Sequence, residues 1–263
     1  MIGVFDSGVG GLTVLREIHQ LLPGYDTVYF GDTARSPYGN LSEQTLQRYA
    51  LEDAELLLQK GATVIVVACN SASAAAGELL RNKLSVPVFD VSQAPIEAAL
   101  RATKSKRIGV IGTRATIASG IHGRLLTQAD SMCTVFPVAT PLLAPLIEER
   151  AHRYPEAMRI LRRYLRPLKN AHLDTLILGC THYPIIQKEI ERVMGHQVKV
   201  ISSGTATAEA LKQFLEEHGD AEAHCPKNNK EKYFVSGDPE QFQRTANWWL
   251  GKKVNVLAAQ AHV

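Results

Sequence analysis

Two cysteines stand in like settings far apart in the chain. Cys69 closes the apolar run Val64-Ile-Val-Val-Ala and precedes Asn70 and Ser71; Cys180 closes Thr175-Leu-Ile-Leu-Gly and precedes Thr181 and His182. A thiol is a competent acid or base close to neutrality, with a reference pKa of about 8.5 that neighbouring charge can move. Two thiols facing each other across one carbon can do what a single one cannot. One removes a proton from one face and the other returns a proton to the opposite face, which inverts a stereocentre. One thiol must then be ionised while the other is protonated, and the roles exchange with direction.

Each cysteine has candidate assistants. Asp6, in Phe5-Asp-Ser-Gly, and Glu148 or His182 could exchange a proton with the working thiol. Ser7, Asn70, Ser71, Thr113, Thr116 and Thr181 fall at expected helix starts, where hydroxyls, amides and backbone N–H groups suit an anionic carboxylate and the negative charge built up on proton removal. A single cysteine after an apolar strand is more often a small core residue. The repeated placement is what favours chemistry here. Cys133, at a strand start, and Cys225, in a polar loop, have neither partner nor motif and read as structural. Cys180-Thr-His182 is not a zinc motif, because no second ligand pair accompanies it. Lone histidines such as His122, His152 and His196 read as surface residues.

Short Val- and Ile-rich runs alternate with segments of helical period, the pattern of parallel sheets flanked by helices, so the fold class is α/β. Strands are expected at Ile2 to Phe5, Thr27 to Phe30, Thr63 to Ala68, Val86 to Phe89, Arg107 to Ile111, Thr134 to Val138, Thr175 to Leu178 and Val198 to Ile201. Helices are expected at Gly11 to Leu22, Ser42 to Gln59 with Ser42 as N-cap, Pro141 to Glu149, Pro155 to Lys169 and Ala206 to Glu217. The chain also repeats itself. Ile2-Gly-Val-Phe-Asp-Ser-Gly is echoed by Ile108-Gly-Val-Ile-Gly-Thr-Arg, the Cys69 run by the Cys180 run, and Val88-Phe-Asp-Val-Ser by Val200-Ile-Ser-Ser. A repeat of roughly 110 residues fits two similar α/β domains related by pseudo-twofold symmetry. The expected division is 1–92 plus about 205–263, the terminal piece adding a helix and edge strands, against 93–204. Ligands of open α/β sheets sit outside the C-terminal ends of the strands, so the symmetry brings Cys69 and Cys180 to opposite walls of one interdomain cleft.

Composition narrows the classes. With 263 residues, 45% hydrophobic and 21% charged, the chain has the make-up of an ordinary folded protein. The N-terminus turns polar too soon for a signal peptide and no run is long enough to span a bilayer, so no membrane association and a cytoplasmic location are expected. Four scattered cysteines without a secretion signal argue for free thiols. The net charge is only +3, Arg162, Arg163, Arg166 and Lys169 mark the wet side of a helix, and Lys227, Lys230 and Lys232 mark an exposed loop, so no nucleic-acid partner is expected. Gly8-Val-Gly-Gly11 fails as a dinucleotide loop at Thr13 and has no Walker ending; it reads as glycines that let the backbone turn tightly. No cofactor or metal is expected.

Taken in order, Phe5-Asp-Ser-Gly-Val-Gly-Gly11, Phe30-Gly-Asp-Thr-Ala-Arg-Ser-Pro-Tyr-Gly39, Ala68-Cys-Asn-Ser71, Gly112-Thr-Arg-Ala-Thr116, Pro145-Leu-Ile-Glu148, Gly179-Cys-Thr-His-Tyr-Pro184 and Ser203-Gly-Thr make the chain resemble bacterial glutamate racemases. The resemblance covers most of the sequence. It implies a pyridoxal-independent isomerase that interconverts L- and D-glutamate and supplies D-glutamate for peptidoglycan, working as a homodimer. By matched positions it implies Cys69 and Cys180 as the acid/base pair, with Asp6, Glu148 and His182 assisting. It further implies a substrate site of Asp6, Ser7, Tyr38, Gly39, Asn70, Ser71, Thr113, Thr116, Thr181 and His182. Position 71 is Ser where the family usually has Thr, and Glu149-Arg150 follow Glu148 where a glycine is expected. Some members of the family answer to a cell-wall precursor through an N-terminal extension; Asp6 follows Met1 closely, so no precursor requirement is expected. Relatives acting on aspartate or a hydantoin are the competing reading, which the Asp-Ser-Gly and Cys-Thr-His forms disfavour. A non-catalytic binding module is a further one, in which the cysteines would be dispensable.

Overall fold

The computed structural model describes residues 1–261. Along the chain the elements are β1 (Ile2–Asp6), α1 (Leu12–Leu21), β2 (Thr27–Gly31), α2 (Glu43–Gln59), β3 (Val64–Val67), α3 (Asn70–Lys83), β4 (Val88–Asp90), α4 (Ala94–Ala102), β5 (Arg107–Gly112), α5 (Arg114–Ala118), α6 (Ile121–Ala129), β6 (Thr134–Ala139), α7 (Leu143–Glu148) and α8 (Pro155–Asn170). They continue with β7 (Thr175–Gly179), α9 (Gln187–Met194), β8 (Lys199–Ser202), α10 (Ser203–Glu217), α11 (Gly219–Ala223), β9 (Glu231–Val235), α12 (Pro239–Leu250) and β10 (Val256–Ala258). The strands form two all-parallel sheets, one ordered β10-β9-β2-β1-β3-β4 and the other β6-β5-β7-β8. Every residue of β1, β2, β3 and β7 is buried, which is why these strands read as unbroken apolar runs rather than as alternation.

The internal repeat is a repeat of register as well as of sequence. β2, β1, β3 and β4 in the first sheet occupy the places of β6, β5, β7 and β8 in the second. Phe5 pairs with Val67 and Ile111 pairs with Leu178, so Cys69 and Cys180 each follow the equivalent paired residue by the same step. The chain after α10 returns to the first sheet, where β9 pairs with β2, β10 pairs with β9, and α12 packs against α1. The last two residues of the expected first-domain segment lie outside the described residues. One continuous apolar core runs between the halves, joining Val4, Leu15 and Ile18 to Leu165, Leu178 and Leu211.

Most expected elements form with small shifts at their ends. β4 starts at Val88 rather than Val86, since Pro87 offers only its carbonyl, which accepts from the Ile65 N–H. Ser42 caps α2 by accepting from the Thr45 N–H. His122 contradicts the surface reading: it is 3% exposed, because His122 and Leu126 form the inward stripe of α6. Arg162, Arg163, Arg166 and Lys169 are exposed along α8, as expected. Among the described residues, no helix is long and apolar enough to cross a membrane.

Candidate functional site

The loops at the C-terminal ends of both sheets enclose a cavity of about 360 Å³. Cys69 and Cys180 both line it, one from each half, together with Ser7, Tyr38, Gly39, Asn70, Ser71, Thr113, Thr181, His182 and Glu148. Asp6 and Thr116 are each 1% exposed and stand behind the lining. Sequence reasoning missed Ser36, Pro37, Asn40, Arg114, Thr140, Pro141 and Tyr183. The motif segments carry Ser36, Pro37, Arg114 and Tyr183, and Asn40 directly follows one of them, whereas Thr140 and Pro141 follow β6, and only the strand order places that loop at the rim.

The two thiols have unlike surroundings. Cys69 is at the N-cap of α3, with its Sγ 3.7 Å from Ser7 Oγ. Burial, then the charge of Asp6, push its thiol up to about 12, against the pull of backbone and hydroxyl donors at Ala72 and Ser7. Asp6 accepts from the Gly8 N–H through Oδ2 at 3.0 Å, while its Oδ1 has no partner. Burial raises this carboxyl above its usual range, opposed by the charge of His182. Cys180 Sγ instead lies 3.6 Å from His182 Nδ1, and His182 Nε2 is 2.6 Å from Glu148 Oε1. Burial would lower the imidazole, but hydrogen bonds to Cys180 and Glu148 outweigh it and hold the ring up at about 10. Glu148, not Glu149, makes this contact, because the last turn of α7 presents it to the ring.

The remaining polar groups bridge the halves. Ser71 Oγ and Thr113 Oγ1 meet at 2.9 Å across the cleft, and Thr113, the N-cap of α5, bonds Thr116 at 3.0 Å. Thr13 Oγ1 on α1 donates to the Thr181 carbonyl at 2.8 Å. Asn70 is 3% exposed, lines the cavity, and has neither amide atom paired, so a donor and an acceptor are free for a ligand. Tyr38 and Gly39 both line the cavity, and the Tyr38 hydroxyl lies within hydrogen-bond reach of Asp32 and Asp53.

The glycine turn after β1 has a different reason from the one expected. None of Gly8, Gly10 and Gly11 adopts a left-handed backbone. A Cβ on Gly10 would sit 2.2 Å from Thr181 Oγ1 and 2.6 Å from His182 Cε1. Glycine there lets the two halves close on each other. The cavity thus has two buried thiols on opposing halves, a histidine–carboxylate pair behind one of them, and the unpaired amide of Asn70 in its lining.

The chain is similar in sequence and fold to known proteins. Residues 2–211 match the family model described as Asp/Glu/Hydantoin racemase. A glutamate racemase of Geobacter metallireducens is 43% identical over 253 residues, covering 96% of this chain and 93% of that protein. A glutamate racemase isoform from Bacillus anthracis superimposes with a TM-score of 0.93 at 38% identity, covering 99% and 97% of the two chains. The Francisella tularensis glutamate racemase in complex with D-glutamate gives a TM-score of 0.89 at 30% identity, with the same coverage. With a family model matched over residues 2–211 and relatives 43% and 38% identical over nearly the whole chain, this chain belongs to the Asp/Glu/Hydantoin racemase family.

Proposed function

We propose that this protein is an isomerase that interconverts L- and D-glutamate by two-thiol proton transfer and supplies D-glutamate for peptidoglycan synthesis. The observation that carries the reading is the presence of Cys69 and Cys180 on one cavity, delivered from equivalent strand ends of opposite halves. For L-glutamate, the Cys180 thiolate takes the α-proton and the Cys69 thiol gives its own proton to the opposite face, leaving D-glutamate and a Cys69 thiolate. The raised Cys69 thiol suits a group that begins as the proton donor in this direction. In the reverse direction Cys69 is the base and Cys180 the acid. His182, held by Glu148, exchanges the proton of Cys180, and Asp6 is the corresponding group behind Cys69.

Asn70, Thr181 and Ser7 are the donors for the α-carboxylate and for the charge that spreads onto it as the α-proton leaves. Ser71 and Thr113, the latter held by Thr116 behind it, complete the pocket for the side-chain carboxylate together with Tyr38 and Gly39. The division into 1–92 plus 205–263 and 93–204 is supported by the membership of the two sheets. A cytoplasmic homodimer is the setting the family resemblance supports, and light scattering of the purified protein checks the assembly. The decisive assay follows optical rotation with L- and then D-glutamate, without added pyridoxal phosphate and with a chelator present. Inversion of glutamate in both directions is expected. Inversion of aspartate alone, or activity that disappears with the chelator and returns with zinc, would overturn the reading.

A further inference from the structure

The cavity wall at Ser36–Asn40 belongs to no helix or strand longer than a 3₁₀ turn, yet it is held from behind by a buried knot of charge. Arg35 donates from Nε to Asp32 Oδ2 at 2.5 Å, from Nη2 to Asp53 Oδ1 at 2.8 Å, and from Nη1 to Glu52, while its guanidinium lies 3.9 Å from the Tyr49 ring centre. Asp32 also accepts from Ser236 at 2.8 Å, and Arg48 lies 3.8 Å from Glu52 at the outer edge. Asp32 and Asp53 are completely buried. Three carboxylates therefore crowd one inner guanidinium.

The hydrogen count at Tyr38 is the informative part. Its hydroxyl touches Asp32 Oδ2 and, at 3.0 Å, Asp53 Oδ2. A phenol has one proton to donate, and burial with the flanking carboxylates keeps that proton on the oxygen. Once it is donated to Asp32, a Tyr38 lone pair faces Asp53. Two oxygens at that distance with no hydrogen between them repel, and a proton on Asp53 removes both the repulsion and one of the excess charges.

We propose that Asp53 is a neutral carboxylic acid whose proton closes a hydrogen-bonded chain from Asp53 through Tyr38 to Asp32, and that Asp32 and Asp53 are positioning residues for the Ser36–Asn40 wall of the substrate cavity. The identity of the substrate rests on the glutamate reading above; the location of the proton does not. Burial, then the charge of Asp32, push the Asp53 carboxyl well above the usual carboxylate range, in the same direction as the hydrogen count. The knot bears on the cavity because Gly39 abuts Thr113 so closely that a Cβ there would lie 3.0 Å from the threonine Cβ. A loop released from Asp32 and Asp53 would shift against the second half, and the main chain at Tyr38 and Gly39 would lose its place.

Infrared difference spectroscopy of the full-length protein at neutral pH, wild type minus Asp53→Asn, should show a protonated carboxylic C=O band that the variant lacks. Asp53→Leu should raise KM for glutamate about tenfold with a smaller change in kcat, as expected for losing one hydrogen bond to a charged network. Asp53→Asn places an amide donor opposite Tyr38 and should bring KM back to within about threefold of wild type. Absence of the band, or a folded Asp53→Leu variant with wild-type KM, overturns the proposal. Should Asp53→Leu not fold, the band and the KM of Asp53→Asn decide it. If the wild type does not turn over glutamate, the functional reading fails while the infrared band still decides the proton.

Discussion

Gly10→Ala adds one methyl group where the two halves meet, and the geometry sets the cost. The new Cβ would lie 2.2 Å from Thr181 Oγ1, 2.6 Å from His182 Cε1 and 2.8 Å from His182 Nδ1. Ordinary contact begins beyond 3 Å, so Thr181 and His182 must retreat by about 1 Å. His182 cannot do this and keep both its 2.6 Å contact to Glu148 and its 3.6 Å contact to Cys180. A displacement of that size at a reacting group costs on the order of 100-fold in kcat, and the overpacking costs roughly 1–3 kcal/mol of stability. Gly24→Ala is the matched control. Gly24 has φ +86° and nothing within 4 Å of a new Cβ, so alanine there should cost roughly 1 kcal/mol through backbone strain and leave kcat unchanged. Glutamate racemisation followed by circular dichroism, together with thermal melting of both variants, separates the two effects. A Gly10→Ala protein with wild-type kcat and melting would show that the halves tolerate a wider gap, and the close-approach argument would be wrong.

Replacing either thiol by a hydroxyl should abolish racemisation to within orders of magnitude while leaving half of the chemistry. With a glutamate analogue whose leaving group departs once the α-proton is gone, Cys69→Ser should eliminate from the L form and Cys180→Ser from the D form; equal loss of both would refute the two-base assignment. The His182 imidazolium, raised to about 10, contributes stability that is fully present below about pH 6.5 and is lost as pH rises through about 10. Glu148→Gln should therefore destabilise the fold at pH 6 more than at pH 10.5, by no more than about 1 kcal/mol given that Glu148 is half exposed. A variant equally destabilised at both pH values would contradict this. Burial lowers His122 to about 4, so its contribution is present above about pH 6.5 and is lost as pH falls through about 4. Asp90 is the charged group that partly opposes this shift, and it is itself paired with Arg81. His122→Phe should flatten the acid limb of the stability profile by up to roughly 3 kcal/mol, and an unchanged limb in urea titrations at pH 4.5 would exclude His122 as its source.

The sequence by itself determined the class of fold, the internal repeat and the two cysteines that meet in one cavity. Strands buried on both faces must be apolar throughout, so β1, β3, β5 and β7 announce themselves, and a motif repeated at strand ends survives as a repeat of register. The motif segments also held most of the cavity lining, because ligand-facing residues of this architecture follow directly after strands. Other features were decided by contacts between residues distant in sequence, which no local pattern encodes. Nothing near His122 marks it as buried, since α6 is short and only its packing under the second sheet selects its inward stripe. The Tyr38 hydroxyl faces Asp53 because α2 lies beside its loop, and the glycine requirement at position 10 arises from Thr181 and His182 in the other half. Thr140 and Pro141 reach the cavity rim through strand order alone. Local propensity and burial pattern are written along the chain, whereas the approach of two loops from different halves is fixed only when both sheets and the core between them have formed.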